Sequence, residues 1–448
     1  MFKITHYANS FISIEGEKSV LTCDPWIGAT TDNGWYSYPL KNENDVNKKV
    51  FNSNFIYVSH LHCDHIDPKT LKNFTNKNLT FIVKKFKNST LKNRLQRLFP
   101  DKKIIELEPF TKKKISKDFS VSIIPQIISN TSDLPDNIEY DLDTSIVIQS
   151  NKSKEIFYNN VDMPINLRIL KLINNFVKKT FKKNIDIFCL PLGAACEFPQ
   201  CFLNLDRDKE RKKLVKQSLK DLKKYLMYLK PKVFFPAGGT YAIYGKFHKL
   251  NKFIAQPSFT EIRSATSKLK TKIYNIIGGG HINFENSKYL AKETNVNIAN
   301  NFDKKFINYI KNYNYYYHIR NKKTDLNELD NVFDKAKLNY FRILAHKKAI
   351  STKWDIDFNI YKNYELNDKC KIDIKKSKFL KKYQLSNHNT QSKKVYKLEC
   401  YMEYDLFKSL LSGRFPWNTS LTGSTIMYKR TPNIFNVDQQ FSLNFLRV

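Results

Sequence analysis

The stretch YVSHLHCDHID, residues 57–67, places three histidines and two aspartates directly behind a short apolar run. In an extended segment alternate side chains point the same way, so His60 and His62 can face one point in space. If the chain then turns, Asp64 and His65 can approach a second point a few ångströms away. Two imidazoles for one cation, with a carboxylate and an imidazole for its neighbour, suit a pair of metal ions. Neutral imidazole with carboxylate fits two Zn²⁺ sites, with iron or manganese as alternatives. Nine histidines occur in 448 residues, and three of them fall within the six positions 60–65. That concentration at the end of an apolar strand reads as a metal site rather than a solvated loop.

The rest of the composition bounds the answer. A chain of 448 residues is long enough for two domains or more. Hydrophobic residues at 41% supply real cores, and no run approaches the length of a membrane span. The start, MFKITHYANSFISIEGE, lacks the apolar centre of a secretory signal, so a cytoplasmic protein is expected. Seven scattered cysteines read as reduced thiols, and CEFPQC (196–201) lacks the spacing of a zinc pair. The absence of C-x-H with C-x-x-H excludes a Rieske iron–sulfur centre. A net charge of +34 attracts anions, yet lysine dominates and is spread evenly. A phosphate-bearing small molecule is therefore expected ahead of nucleic acid as partner.

Along the chain, strand-like and helix-like stretches alternate through the first 290 residues. FISIEG (11–16), SVLTCDPWI (19–27), NFIYVS (54–59), FSVSIIPQ (119–126), TSIVIQS (144–150), EIFYNN (155–160), IDIFCLPLG (185–193) and KVFFPAGG (232–239) read as strands. Ser89 is a candidate cap for a helix carrying Leu91, Leu95 and Leu98. A long helix is expected from Asp206 to Leu229, with Leu219, Leu222, Leu226 and Leu229 on one face. SNTSDLPDN (129–137) reads as a loop. After about 290 the character changes to polar, tyrosine-rich sequence. Strand-like alternation returns in KVYKLECYMEY (394–404) and STIMYKR (424–430), and the chain closes with FSLNFLRV (441–448). The expected organisation is one unit over 1–290 and a smaller C-terminal α+β unit over 300–448.

The segment SHLHCDHID resembles the H-x-H-x-D-H signature of the metallo-β-lactamase superfamily. That resemblance implies an α/β fold, a four-layer αβ/βα sandwich with a metal pair at one edge that activates water for hydrolysis. ITHYANSFISIEGEKSVLTCDPWI (4–27) looks like its first strands, with Asp24 at the position of the aspartate that ends them. DLDTSIVIQ (141–149), NNVDMP (159–164), PLGAACEFPQCF (191–202), FFPAGGTY (234–241) and YKRTPNIFNVD (428–438) resemble the lactamase-like part and tail of CMP-N-acetylneuraminic acid hydroxylases. Those enzymes also carry a Rieske domain, which this chain lacks.

Residue by residue, the resemblance makes His60 and His62 ligands of a first metal and Asp64 and His65 ligands of a second. Asp162 takes the place of the bridging aspartate, and Asp64 could also orient a water or shuttle its proton. The family's third histidine, near FSVSIIPQ, has no counterpart, and Gln126 or Asp133 could stand there. A further histidine commonly follows a strand like KVFFP, where this chain reads Ala237, Gly238 and Gly239. His248 is the expected replacement, with His281 as an alternative. Trp26, Trp35 and Tyr36 form either an aromatic wall over the site or core. Arg430 suits a phosphate or a domain-closing ion pair. The expected function is metal-dependent hydrolysis of an anionic small molecule, such as a phosphorylated or nucleotide-linked sugar. A di-iron oxygenase, a metal-dependent nuclease and a scaffold with a decayed site are the alternatives.

Overall fold

The computed structural model describes residues 2–127, 143–193, 195–299, 302–318, 324–346, 354–386, 396–435 and 442–448. Asp133 and the 129–137 loop lie outside them.

Two sheets face each other. The first has eight strands in the order Lys288–Lys292, Gly280–Glu285, Phe2–Ala8, Phe11–Glu15, Val20–Cys23, Phe55–Tyr57, Thr80–Lys84, Lys103–Leu107. The second has seven, in the order Lys272–Ile273, Val233–Pro236, Ile187–Leu190, Ile156–Asn159, Thr144–Ser150, Phe119–Pro125, Lys113–Lys114. In each sheet one half pairs antiparallel and the other parallel.

Successive residues of a strand point to opposite faces, and here both faces are covered, which is why the strands read as unbroken apolar runs. Ile4, Ile12, Leu21, Tyr57 and Ile82 of the first sheet pack against Val121, Ile146, Phe157, Ile187 and Phe235 of the second. The alternate residues Ile56, Val58, Phe81 and Val83 face an outer layer containing Leu71 of the helix Pro68–Leu71 and Leu91 and Leu95 of the helix Thr90–Leu98. On the other side Ile124, Val147, Tyr158 and Phe188 meet the helices Leu167–Phe181, Arg207–Leu229 and Phe259–Thr266. The layers are helix, sheet, sheet, helix: the αβ/βα sandwich.

The long helix forms as its sequence dictates. Asp206 caps it, its Oδ1 accepting from Lys209 N at 3.0 Å. Leu222, Leu226 and Leu229 bury one face, and Lys230 leaves the helix at φ +50° before Pro231. Ser89 stands at the N-cap of Thr90–Leu98 but its side chain makes no capping bond.

The C-terminal part holds a separate four-stranded sheet, ordered Lys378–Leu385, Trp354–Asn363, Tyr396–Glu403, Met427–Thr431. The helices Leu326–His346 and Tyr404–Leu411 cover it. Its core is continuous with residues of the first part: Trp26, Trp35, Tyr241 and Phe247 belong to the same apolar cluster as Phe358, Phe407 and Trp417. A two-stranded ribbon, Trp35–Ser37 with Tyr241–Ile243, reaches from the sandwich into that cluster. Near the end of the chain Leu443–Phe445 form a 3-10 turn. No described helix is long and apolar enough to cross a membrane.

Candidate metal centre

The parallel strands of both sheets end at the same edge of the sandwich. In α/β sheets ligands bind in the crevice outside the carboxyl ends of the strands. Asp24 follows Val20–Cys23, Ser59 and His60 follow Phe55–Tyr57, and Asp162 follows Ile156–Asn159.

After Ser59 the chain turns tightly, with His65 N and Ile66 N both donating to His62 O at 3.0 Å. Asp67 then caps the helix Pro68–Leu71, its Oδ2 accepting from Thr70 N at 3.0 Å and Thr70 Oγ1 at 2.6 Å. Asp67 is thus occupied as a cap, while the three histidines and Asp64 remain for the edge.

Two groups of ligand atoms converge there. His60, His62 and Asp143 form one; His60, His65 and Asp162 form the other, each within 4.8 Å. His60 Nε2 lies 2.8 Å from His62 Nδ1 and 3.2 Å from Asp143 Oδ1. His65 Nε2 lies 2.9 Å from Asp162 Oδ2 and 3.4 Å from Asp64 Oδ2. His60 and His65 are fully buried, whereas His62, Asp143 and Asp162 are half-buried toward solvent.

A second set of groups orients the imidazoles. Ser59 Oγ sits 2.8 Å from His60 Nδ1 and 3.2 Å from His65 Nδ1. Asp24, buried and at φ +41°, accepts from Ser59 N at 2.8 Å and Ser59 Oγ at 3.0 Å. Its other oxygen lies 3.4 Å from His65 Nδ1. A carboxylate behind an imidazole fixes the ring and leaves Nε2 for the cation. Asn9 Nδ2 donates to Asp64 Oδ2 at 3.0 Å.

The electrostatics follow from burial and crowding. Burial pushes His60 well below its ordinary value. Burial opposes charge on His65 too, but Asp64, Asp24 and Asp162 outweigh it and hold its pKa well above the ordinary value. Burial pushes Asp24 upward, with His65 and Ser59 opposing. For Asp64 burial is overcome by His65 and His62, and its pKa falls. Carboxylates gathered around one imidazole are the field a cation would satisfy. Asp162 Oδ1 is buried with no hydrogen-bond partner, an acceptor left for an ion. The donor set, imidazole nitrogen with carboxylate oxygen, therefore fits divalent zinc, iron or manganese.

The fold is the metallo-β-lactamase sandwich. Its layers, and H-x-H-x-D-H at the carboxyl edge, carry that statement. No protein-family model matches the chain. Curated relatives include proteins named for a Rieske 2Fe-2S iron–sulfur centre. One, from Mycolicibacterium smegmatis, is 27% identical over 96 residues, or 21% of this chain. Another, from Mycobacterium tuberculosis, is 28% identical over 96 residues. The chain spans 18% of the length of each. Among solved structures it is similar to Igni18, a metallo hydrolase of Ignicoccus hospitalis, with 14% identity and a TM-score of 0.41, over 65% of this chain and 99% of that one. It is similar to CmlA, a diiron β-hydroxylase of Streptomyces venezuelae, with 12% identity and a TM-score of 0.41, over 65% of this chain and 54% of that one. It is also similar to an isothiocyanate hydrolase from Delia radicum gut bacteria, with 13% identity and a TM-score of 0.40, over 65% of this chain and 100% of that one.

Not every expected residue reaches the edge. His248 lies in a 3-10 segment, Gly245–Phe253, its Nδ1 2.9 Å from Gly245 O and its charged neighbours Lys249 and Lys311. It joins neither ligand group. The spacing after KVFFP is misleading because the ribbon Tyr241–Ile243 carries the chain away before the histidine is reached. His281 sits on the strand Gly280–Glu285 opposite Thr5 and Lys292, and also joins neither group. Gly238 stands where a histidine was expected, at φ +93°, and a Cβ there would meet Asp162 Oδ1 at 3.1 Å. The side chains of Asp162 and Pro191 and the Val161 carbonyl crowd the space a ligand side chain would need.

Asp143 was missed. It opens the strand Thr144–Ser150, which pairs with Phe119–Pro125, so it arrives near the place reserved for the absent histidine. Its only sequence signal is an aspartate preceding an apolar strand. Trp26, Trp35 and Tyr36 are core: Trp35 stacks on Tyr241 with centroids 4.1 Å apart. The loop GAACEFPQCF serves packing at Cys201 and Phe202, which bridge to Tyr428. Arg430 donates to Asn433 Oδ1 at 2.9 Å and lies over Phe202. Tyr317 and His318 surround the buried Glu403.

Proposed function

We propose that the chain is a metal-dependent hydrolase acting on an anionic small molecule, a phosphorylated or nucleotide-linked sugar fitting its basic character. The observation that supports it is the pair of ligand groups sharing His60 at the carboxyl edge. His60, His62 and Asp143 would hold one cation, and His65 with Asp162 the other, Asp64 bordering the second through His65. Such cations supply Lewis-acid polarisation of a substrate oxygen and acidification of a water. Asp64, held by Asn9, would orient that water and take its proton. Asp24 and Ser59 hold the rings in place. Hydrolysis of phosphate esters and lactones should vanish on chelation and return with metal. Full activity in metal-free protein would sink the proposal.

A second reading has its own support. Each group is two histidines and one carboxylate, a set that also suits non-haem iron and dioxygen chemistry. Iron-dependent oxygen uptake with an external reductant would favour it over hydrolysis. Zinc-loaded protein that turns over substrate without oxygen would exclude it.

A further inference from the structure

Beside His62 opens a cleft of about 470 Å³ whose walls come from both parts of the chain. Arg94 reaches it from the helix Thr90–Leu98, and Arg414 and Arg447 from the C-terminal part, with Phe415 and Asn418 between them. Eleven arginines occur among the 76 basic residues, so three in one cleft is a concentration that lysine-rich drift does not produce. Among the described residues no carboxylate pairs with any of the three. Arg207, Arg263 and Arg430 are by contrast taken up by main-chain carbonyls, Glu293 and Asn433. The acidic side chain lining the cleft, Asp32, is buried and accepts from Thr419 Oγ1 at 2.5 Å.

The backbone under these guanidiniums is fixed. Arg414 N donates to Ser409 O at 2.9 Å. The Arg447 carbonyl accepts from Asn339 Nδ2 at 2.8 Å, and its neighbour Leu446 is held by Trp417 Nε1 at 2.8 Å. Asn418 Nδ2 lies 3.5 Å from His62 Nε2, which joins the cleft to the metal centre.

We infer that Arg94, Arg414 and Arg447 bind a dianionic phosphoryl group of the substrate. The inference rests on the hydrolase reading for the word substrate, and on the cleft alone for the anion. A carboxylate has two oxygens and one charge, fewer than three guanidinium forks require. A phosphoryl group offers three oxygens and nearly two charges, and each fork can take two of those oxygens. The apolar faces of Phe415 and Phe445 border the same space and suit the uncharged body of such a molecule. The C-terminal part thereby contributes specificity, while the sandwich contributes the chemistry.

The test is calorimetric titration of inorganic phosphate into the full chain, chelator-treated and metal-loaded, with metal content measured on the same samples. Metal-free wild type should bind phosphate. Arg414→Gln and Arg447→Gln should each weaken it roughly tenfold, the loss of one charge-assisted contact. Arg414→Lys should lose less, and Arg263→Gln, outside the cleft, should lose nothing. Binding seen only with metal, or weakened equally by Arg263→Gln, would overturn the inference. Arginine-dependent binding in a protein that never holds metal would retain the anion site and remove the hydrolase reading instead.

Discussion

Gly238→Ala tests how the second half of the metal centre is built. At φ +93° an alanine sits in a region that costs an L-residue about 1–2 kcal/mol. Its Cβ would also lie 3.1 Å from Asp162 Oδ1, 3.1 Å from Pro191 Cβ and 3.3 Å from Val161 O. Relieving such crowding in a packed site costs about 1–3 kcal/mol, and the low end applies because the Asp162 carboxylate can rotate. The sum is a destabilisation of about 2–3 kcal/mol, read as a lower urea midpoint at unchanged slope. The rotation of Asp162 should also loosen the cation shared with His65, lowering metal affinity about tenfold by disturbing one ligand. Gly238→His should be worse on both counts, although it restores the residue type expected after such a strand. Stability within about 0.5 kcal/mol of wild type with metal content intact would refute the packing argument, as would tighter metal binding in Gly238→His.

Asp143→Ala should lose the metal held with His60 and His62 while keeping the one at Asp162, measured by metal content; retention of both would remove Asp143 from the ligand set. Asn9→Ala removes the donor to Asp64, and Asn9 itself sits at φ +40°. It should cost about 1–3 kcal/mol for the unsatisfied buried groups, with a fall in kcat at unchanged metal content. Glu403 is buried between Lys246, Tyr317 and His318. Burial would raise its pKa, but His318 and Lys246 carry it below the ordinary value. Its contribution is therefore complete above the ordinary glutamate pKa and fades as pH falls through the lower folded one. Glu403→Gln should cost about 2–3 kcal/mol at neutral pH, discounted for partly exposed partners, and less in acid; a constant deficit across the acid range would contradict this.

Local signals carried much of the molecule. The apolar runs of the sandwich strands, Asp206 with the leucine face behind it, and SHLHCDHID were all legible, because each is a pattern over a few neighbouring residues. The residues that were not legible depend on distant pairing. Asp143 is brought beside His60 by the register of the strand that follows it, Thr144–Ser150, with Phe119–Pro125, and His248 is drawn away by a ribbon that pairs with Trp35–Ser37. The strand Lys378–Leu385 was hidden in a lysine-rich stretch because it is an edge, paired on one side only and protected by charge. Nor could spacing reveal that Arg94 lines one cleft with Arg414 and Arg447, which lie more than three hundred residues further along.

Metal stoichiometry tests the central claim most directly. Protein purified without chelators should carry two equivalents of zinc, iron or manganese by plasma mass spectrometry. Asp162→Ala should retain one, and Asp162→Ala combined with His60→Ala, which removes a ligand from each group, should retain none. A folded wild type with no bound metal, or His60→Ala holding two equivalents, would contradict the account.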